Sequence, residues 1–337
     1  MTRRVVRFRN VHVIIATSVG LVLLVAAALG WLGWTVVTQD RALLRQQARA
    51  RTEQHADNLV AGFLRRLAEA EASLSPDRIP SDLGDGAIVV RFRPDGLETQ
   101  RPGQLLYYPF SPPPQLVHSP VFDEADKLEV QERNLGAAAS LLTAVASNTQ
   151  SDPHASAEAL LRLARVQKNL GQVAQALATY SKLREEDLIS SELPYGLLAG
   201  FARAQLMARP GQEAAARQEA LDLVASLDSG RWPIGKATYF HWNKQARALA
   251  GSNPERPPDA KLAVTEAVES AWEEWRSFQL SPSSSMTKTL YPTGPSVQVP
   301  VLSIFNARPE RAVAVVYPEN SILHLILGNA SETNRGI

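Results

Sequence analysis

The chain has 337 residues, 45% hydrophobic and 20% charged, enough for a membrane segment with one or two ordinary cores, and neither a disordered nor a fibrous protein. Thirty-five basic residues against 34 acidic ones leave a net charge of +1, so bulk electrostatics call for neither nucleic acid nor a strongly acidic substrate. No cysteine is present, which excludes disulfides, thiolate metal sites and cysteine nucleophiles and leaves the redox compartment open.

At the N-terminus a basic tail, residues 1–10, carries Arg3, Arg4, Arg7 and Arg9, and residues 11–37 follow without a formally charged side chain. At ~1.5 Å rise per residue, a helix of that length spans a ~30 Å hydrocarbon core. Trp31 and Trp34 fall near its far end, where indoles favour the membrane interface. The competing reading is a cleaved signal peptide with Ala26 and Ala28 as its small-x-small site, but a further apolar stretch and both tryptophans follow in the same run. An uncleaved transmembrane helix over 11–37 is therefore predicted. Arg41, Arg45, Arg49 and Arg51 nearly balance the arginines before the span, yet the N-terminal cluster is denser. The predicted topology is single-pass, with the N-terminus cytoplasmic and the chain from Gln39 onward outside the cytoplasm.

Residues 38–80 read as a helical stalk, with Leu44, Ala48, Leu59, Phe63, Leu67 and Ala70 at three- and four-residue spacings and Gly62 as the one glycine or proline between 41 and 74. A stalk of this pattern either packs on the domain that follows or forms a homodimeric coiled coil. Residues 81–120 are a strand-rich segment closed by a proline-rich connector, "FSPPPQLVHSP". Within it, 87–92 alternates as an exposed strand does, Pro94 to Gly96 is turn chemistry, and 105–108 is predicted as a second short strand.

Residues 121–251 are alanine-rich and helical. In "ALLRLARVQKNLGQVAQALATYSKL", residues 159–183, Leu160, Leu163 and Ala164 lie on a first helix, Gly171 at a turn, and Ala176 and Tyr180 on a second. Close helix crossing needs a small residue opposite a large one, and a tight exit needs glycine. This pattern resembles the tetratricopeptide repeat, and related spacing recurs around Gly136 and Gly211, predicting about three degenerate stacked hairpins. A generic helical bundle carries similar spacing. Residues 252–337 then offer a helix at 261–280, a loop at 281–296, strand candidates at 297–305 and 311–318, and an apolar run at 322–327 too short to cross a membrane. The strand-rich pieces on either side of the helical block either join into one small α+β domain or stay separate.

Taken in order, "LLYYP" (105–109), the 160–180 hairpin and "GRWPIGKATYF" (230–240) resemble the extracytoplasmic tetratricopeptide-like sensing region of bacterial membrane-bound sensor histidine kinases. That resemblance covers most of residues 1–280 and implies a mainly α protein in a bacterial inner membrane with its bulk periplasmic: a transmembrane helix, a stalk, and a helical-hairpin block flanked by small strand-rich segments. It departs from the family beyond that, because no phosphoacceptor helix, ATP-binding domain or second span is seen. The expectation is an input module without its transmitter, by truncation, a frame change or a single-span design. Two functions follow: a sensor that binds a ligand or protein, or a membrane-tethered scaffold for a partner peptide in the cell envelope.

No catalytic motif is found, so no reaction is assigned. The six histidines, His12, His55, His118, His154, His241 and His324, include no pair at helical metal-ligand spacing, and neither metal nor cofactor is expected. Trp232, Tyr239, Phe240, His241 and Trp242 form the candidate ligand-binding cluster, with a buried aromatic cap on the last hairpin as the competing reading. Glu269 and Glu273 share a helix face but read as solvated, and Ser283 to Ser285 as linker.

Overall fold

A computed structural model describes residues 5–77, 83, 86–110, 120–147, 152–184, 188–189, 193–251, 259–280, 286–290 and 299–322, with side chains before Ala50 described at some positions only. It is mainly helical with one small antiparallel sheet. The chain divides into two compact units, Met1–Arg65 and Arg66–Ile337.

The first unit is formed by helix α1, Val5–Ser73, whose last turns belong to the second unit. Among the described residues no helix is long and apolar enough to cross a membrane. Much of the predicted span at 11–37 lies outside the described side chains; those that are described, such as Leu21, Leu24, Trp31 and Trp34, are largely exposed.

Among its described residues the second unit contains five strands: β1 (Ile88–Arg93), β2 (Gly96–Thr99), β3 (Met286–Leu290), β4 (Val301–Arg308) and β5 (Arg311–Pro318). All neighbours are antiparallel and the order is β2-β1-β5-β4-β3. The strand-rich pieces from either side of the helical block thus form one sheet, closed where β1 pairs with β5, Val90 opposite Ala314. In β4 and β5 nearly every residue is buried, the near-continuous apolar pattern of strands covered on both faces. On one face Val90, Phe92, Phe305, Ala307, Ala312 and Ala314 pack against helix α9 (Asp259–Leu280), which presents Ala263, Val264, Ala267, Val268, Ala271, Trp275 and Phe278 at helical spacing. On the other, Thr289 lies opposite Ile304 and donates its hydroxyl proton to Glu71, bringing the end of α1 onto that face, where Leu67 and Leu74 are buried.

Between β2 and α9 runs the helical block: α2 (Pro120–Asp126), continued by a single π-helical turn at Lys127–Gln131, then α3 (Leu135–Ala146), α4 (Pro153–Asn169), α5 (Val173–Arg184), α6 (Tyr195–Met207), α7 (Glu213–Asp228) and α8 (Lys236–Leu249). Starts are set by local chemistry: Asn134 accepts from Ala137 N at 3.1 Å, and Asp152 from Ala155 N at 3.0 Å ahead of Pro153. From α3 each helix packs on the next in sequence, and α6 also touches both α4 and α8. Ion pairs stitch the layers, with Arg162 joining α4 to Asp126 at 2.6 Å and Arg203 joining α6 to Glu219 of α7 at 3.0 Å.

Three local expectations are corrected. Residues 105–108 are not a sheet strand: β1 has two edges, taken by β2 and β5, and the chain at Leu105 leaves the sheet instead. Met286–Leu290, inside the predicted loop, is edge strand β3, whose alternation Met-Thr-Lys-Thr-Leu is too polar to read as a strand without its partner β4. Gly136 lies in the first turn of α3, not between helices, so the glycine-turned hairpins are α4–α5 at Gly171 and α6–α7 at Gly211.

Candidate functional site

The sequence motifs at 105–109 and 230–240 are far apart in the chain and meet in space. Tyr108 N donates to Ile234 O at 2.8 Å, and Tyr108 and Gly235 form a parallel β-bridge. Gly230 has φ +67°, and a Cβ placed on it would lie 1.9 Å from Leu105 O, so only glycine lets the two backbones approach. Successive side chains then enter different cores. Leu105 packs with the sheet and α9, while Leu106 and Tyr107 pack among Leu223, Leu227, Trp232, Ile234 and Tyr239 of the helical block. The segment is the rivet between the two cores, and Thr265 of α9 fixes it by accepting from Leu106 N at 3.0 Å.

Two carboxylates organise the polar side of this joint. Glu269 of α9 accepts from the Tyr107 hydroxyl at 2.9 Å and from Lys236 Nζ at 2.7 Å, and the Lys236 ammonium stands 5.5 Å from the centre of the Tyr107 ring. Burial, followed by the charge of Glu269, pushes the Tyr107 phenol well above its ordinary value, so it remains a donor. Asp228 at the end of α7 accepts from Tyr239 at 2.8 Å, Asn243 at 2.7 Å and Arg247 at 2.6 Å. Its backbone oxygen accepts from Lys261 Nζ at 3.1 Å. Burial raises the Tyr239 phenol, helped by Asp228, and lowers the Lys261 ammonium against the pull of the same carboxylate. These groups hold one another and leave no nucleophile paired with a base.

The five predicted ligand residues do not converge on one cavity. Tyr239 is fully buried and, with Phe240, packs its ring at a tilt about Tyr107 at centroid distances of 6.1 and 5.9 Å. Phe240 is 39% exposed, and His241 faces outward with its ring 5.6 Å from that of Trp242, which packs edge-on against Phe201 at 4.8 Å. Trp232 is buried in the same core as Tyr239 and lines a small, half-open pocket between α6, α7 and the turn at 230–232. Glu269 is also placed differently from expectation, as the acceptor of the joint and not a solvated side chain, whereas Glu273 is exposed as expected.

A larger groove of about 480 Å³ was missed by the sequence reading. It lies between α3, α4 and α5, floored by Ala146, Ala157, Leu160, Leu163 and Leu183, with Lys182 at its rim. Its signal was present in Pro153, Ala157 and Leu160 on one face of α4, but the same spacing also describes a closed core. Among the described residues no group of three or more histidines and carboxylates is arranged to hold a metal. Compared with family models, with curated proteins and with solved structures, the chain finds no match in any of the three.

Proposed function

We propose that this chain is a membrane-anchored extracytoplasmic sensor module of the two-component type, in which residues 11–37 are the anchor and a ligand or protein bound by the second unit is read out through the end of α1. The observation that carries this reading is the attachment of that helix end to the sheet. Leu67 and Leu74 are buried, Glu71 accepts from Thr289 on β3, and Asp77 pairs with Arg308 and Arg311 at 2.6 and 2.5 Å on the β4–β5 turn. A shift of the sheet relative to α9 therefore reaches the last turns of α1 directly. The hairpins at Gly171 and Gly211, with α6 in contact with α4 and α8, support a tetratricopeptide-like block inserted into the sheet domain. The exposed leucines and tryptophans of α1 support a lipid-facing segment, since large apolar side chains at about two-thirds exposure are costly in water.

Two labelling experiments on the cysteine-free chain test this reading. Single cysteines along residues 41–74, crosslinked in native membranes, are expected to give a heptad-periodic dimer pattern; a flat or absent pattern counts against a signalling stalk. A cysteine at Val130, 72% exposed, is expected to react with a membrane-impermeant maleimide in intact cells while one at Thr2 does not, and the reverse pattern overturns the topology. The second reading, a tethered scaffold, is favoured by the 480 Å³ groove on α3–α5, and predicts full function after the stalk is exchanged for an unrelated helix.

A further inference from the structure

The groove between α3, α4 and α5 lies at the seam of two apolar clusters. Leu163 packs with Phe122, Ala138 and Leu142 on the α3 side of α4, while Ala157 and Leu183 pack with Tyr180, Tyr195 and Ala199 toward α6. Where the clusters part, the end of α3 and the start of α4 line the space with Ala146, Ser147, Pro153, Ser156 and Ala157, all small. The room they leave is a half-open groove of about 480 Å³. Small-molecule sites occupy ~300–1,000 Å³, so the groove is of ligand size. Its polar groups are few. The three lining hydroxyls donate to backbone carbonyls, Thr143 to Ala139 O at 2.7 Å, Ser147 to Thr143 O at 2.8 Å and Ser156 to Ala146 O at 3.1 Å. Lys182 is the one ionisable side chain of the lining, and among the described residues no carboxylate pairs with it.

We infer that this groove binds a small aliphatic carboxylate, with its hydrocarbon chain on Leu160, Leu163, Leu183 and Leu188 and its carboxylate at the ammonium of Lys182. The leucine floor disfavours a sugar or a free phosphate, whose polar groups would lose water there without gaining partners. An aliphatic amine finds no anion in the lining and meets a like charge at the rim. A neutral hydrocarbon makes no use of Lys182. An aliphatic acid uses both features, burying its chain and giving Lys182 an acceptor for a charge-assisted hydrogen bond. Binding at this groove is independent of the sensor reading, which rests on α1 and the sheet.

Calorimetric titration of octanoate into the full chain in lipid nanodiscs, with empty nanodiscs as the reference, tests this. Saturable binding at one site per chain is expected, weakened about fivefold in Lys182→Gln. Lys182→Glu is expected to reverse the preference and take octylamine instead. Lys182 is exposed, so neither substitution disturbs a core. Ala146→Phe, which fills the groove, is expected to abolish binding, and if that variant does not fold the two Lys182 variants decide alone. Heat no greater than that of empty nanodiscs overturns the proposal, as does octylamine binding the wild type as tightly as octanoate, or full octanoate affinity in Lys182→Glu. Binding of a peptide ending in leucine, without binding of octanoate, overturns it equally and makes the groove a peptide site.

Discussion

Substituting Gly230 by alanine probes the rivet between the two cores, and a second glycine provides its control. Gly230 and Gly171 have nearly the same left-handed backbone, φ +67° and +77°, but a Cβ at Gly230 meets Leu105 O at 1.9 Å whereas one at Gly171 meets nothing within 4 Å. The conformational term is therefore common to both, about 1–2 kcal/mol for a non-glycine residue in this region. The steric term belongs to Gly230→Ala alone. Relieving it requires the backbones to separate by about 1 Å. That displacement strains the bonds from Leu106 N to Thr265 and from Tyr108 N to Ile234 O, each worth about 1 kcal/mol. Gly230→Ala is expected to destabilise by about 3–4 kcal/mol and Gly171→Ala by about 1–2 kcal/mol. In thermal unfolding followed by circular dichroism, the first falls by roughly 10 °C and the second by a few degrees. Equal losses in the two variants refute the close approach of 103–108 to 229–235.

Trp275→Ala is expected to cost about 3–5 kcal/mol in urea unfolding, since this fully buried ring fills the space between α9 and Phe92 and its Nε1 donates to Arg308 O at 3.0 Å; Trp275→Phe is expected to cost less than half as much. Arg203→Ala leaves the buried carboxylate of Glu219 without its nearest cation and is expected to lose about 3 kcal/mol by the same measurement, with Arg203→Lys intermediate because one ammonium cannot replace the guanidinium that also donates to Leu177 O. Alkaline stability carries the signature of Tyr107. Its phenol is raised in the folded state above the ordinary 10.0, so the folded protein holds that proton more tightly, the contribution is complete below pH 10, and it is lost as pH rises past that value. The wild type is expected to lose stability more steeply above pH 10 than Tyr107→Phe; parallel curves in urea titrations at several pH values contradict the raised Tyr107 phenol, which burial causes first and Glu269 second. Lys261, lowered by burial, acts in the opposite sense below its ordinary value of 10.5 and is common to both proteins, so it cancels in that comparison.

Local patterns survive into the structure where one element decides its own state. Residues 312–317 are an unbroken apolar run in sequence and buried in strand β5, 261–280 carries its apolar face at helical spacing, and Gly171 turns a hairpin because its backbone sits in a region glycine alone enters freely. The dipeptide Pro94–Asp95 before Gly96 is likewise a turn in both, although its second strand proves to be the immediate neighbour Gly96–Thr99. Patterns fail where pairing decides. Met286–Leu290 becomes a strand because β4 offers an edge, and residues 105–108 do not because both edges of β1 are filled. The candidate site shows the same division: Tyr239 to Trp242 are consecutive in sequence, yet Tyr239 is buried with Trp232 in one core, Trp242 is half-buried against it beside Phe201, and Phe240 and His241 are exposed. Glu269 looked solvated because its partners, Tyr107 and Lys236, lie 162 and 33 residues away.

What the sequence determines alone is the inventory and the order: a long N-terminal helix, a helical block turned by glycines, and apolar strands at either end. Each of these follows from side-chain periodicity and backbone freedom within a few residues. The tertiary structure alone decides that the outer strands close into one sheet, that "LLYY" is seated between two cores at the bare backbone of Gly230, and that an aromatic motif divides between a buried core and an exposed face. Those outcomes depend on which surfaces remain unpaired once the neighbouring elements have formed, a quantity that no local window of the chain contains.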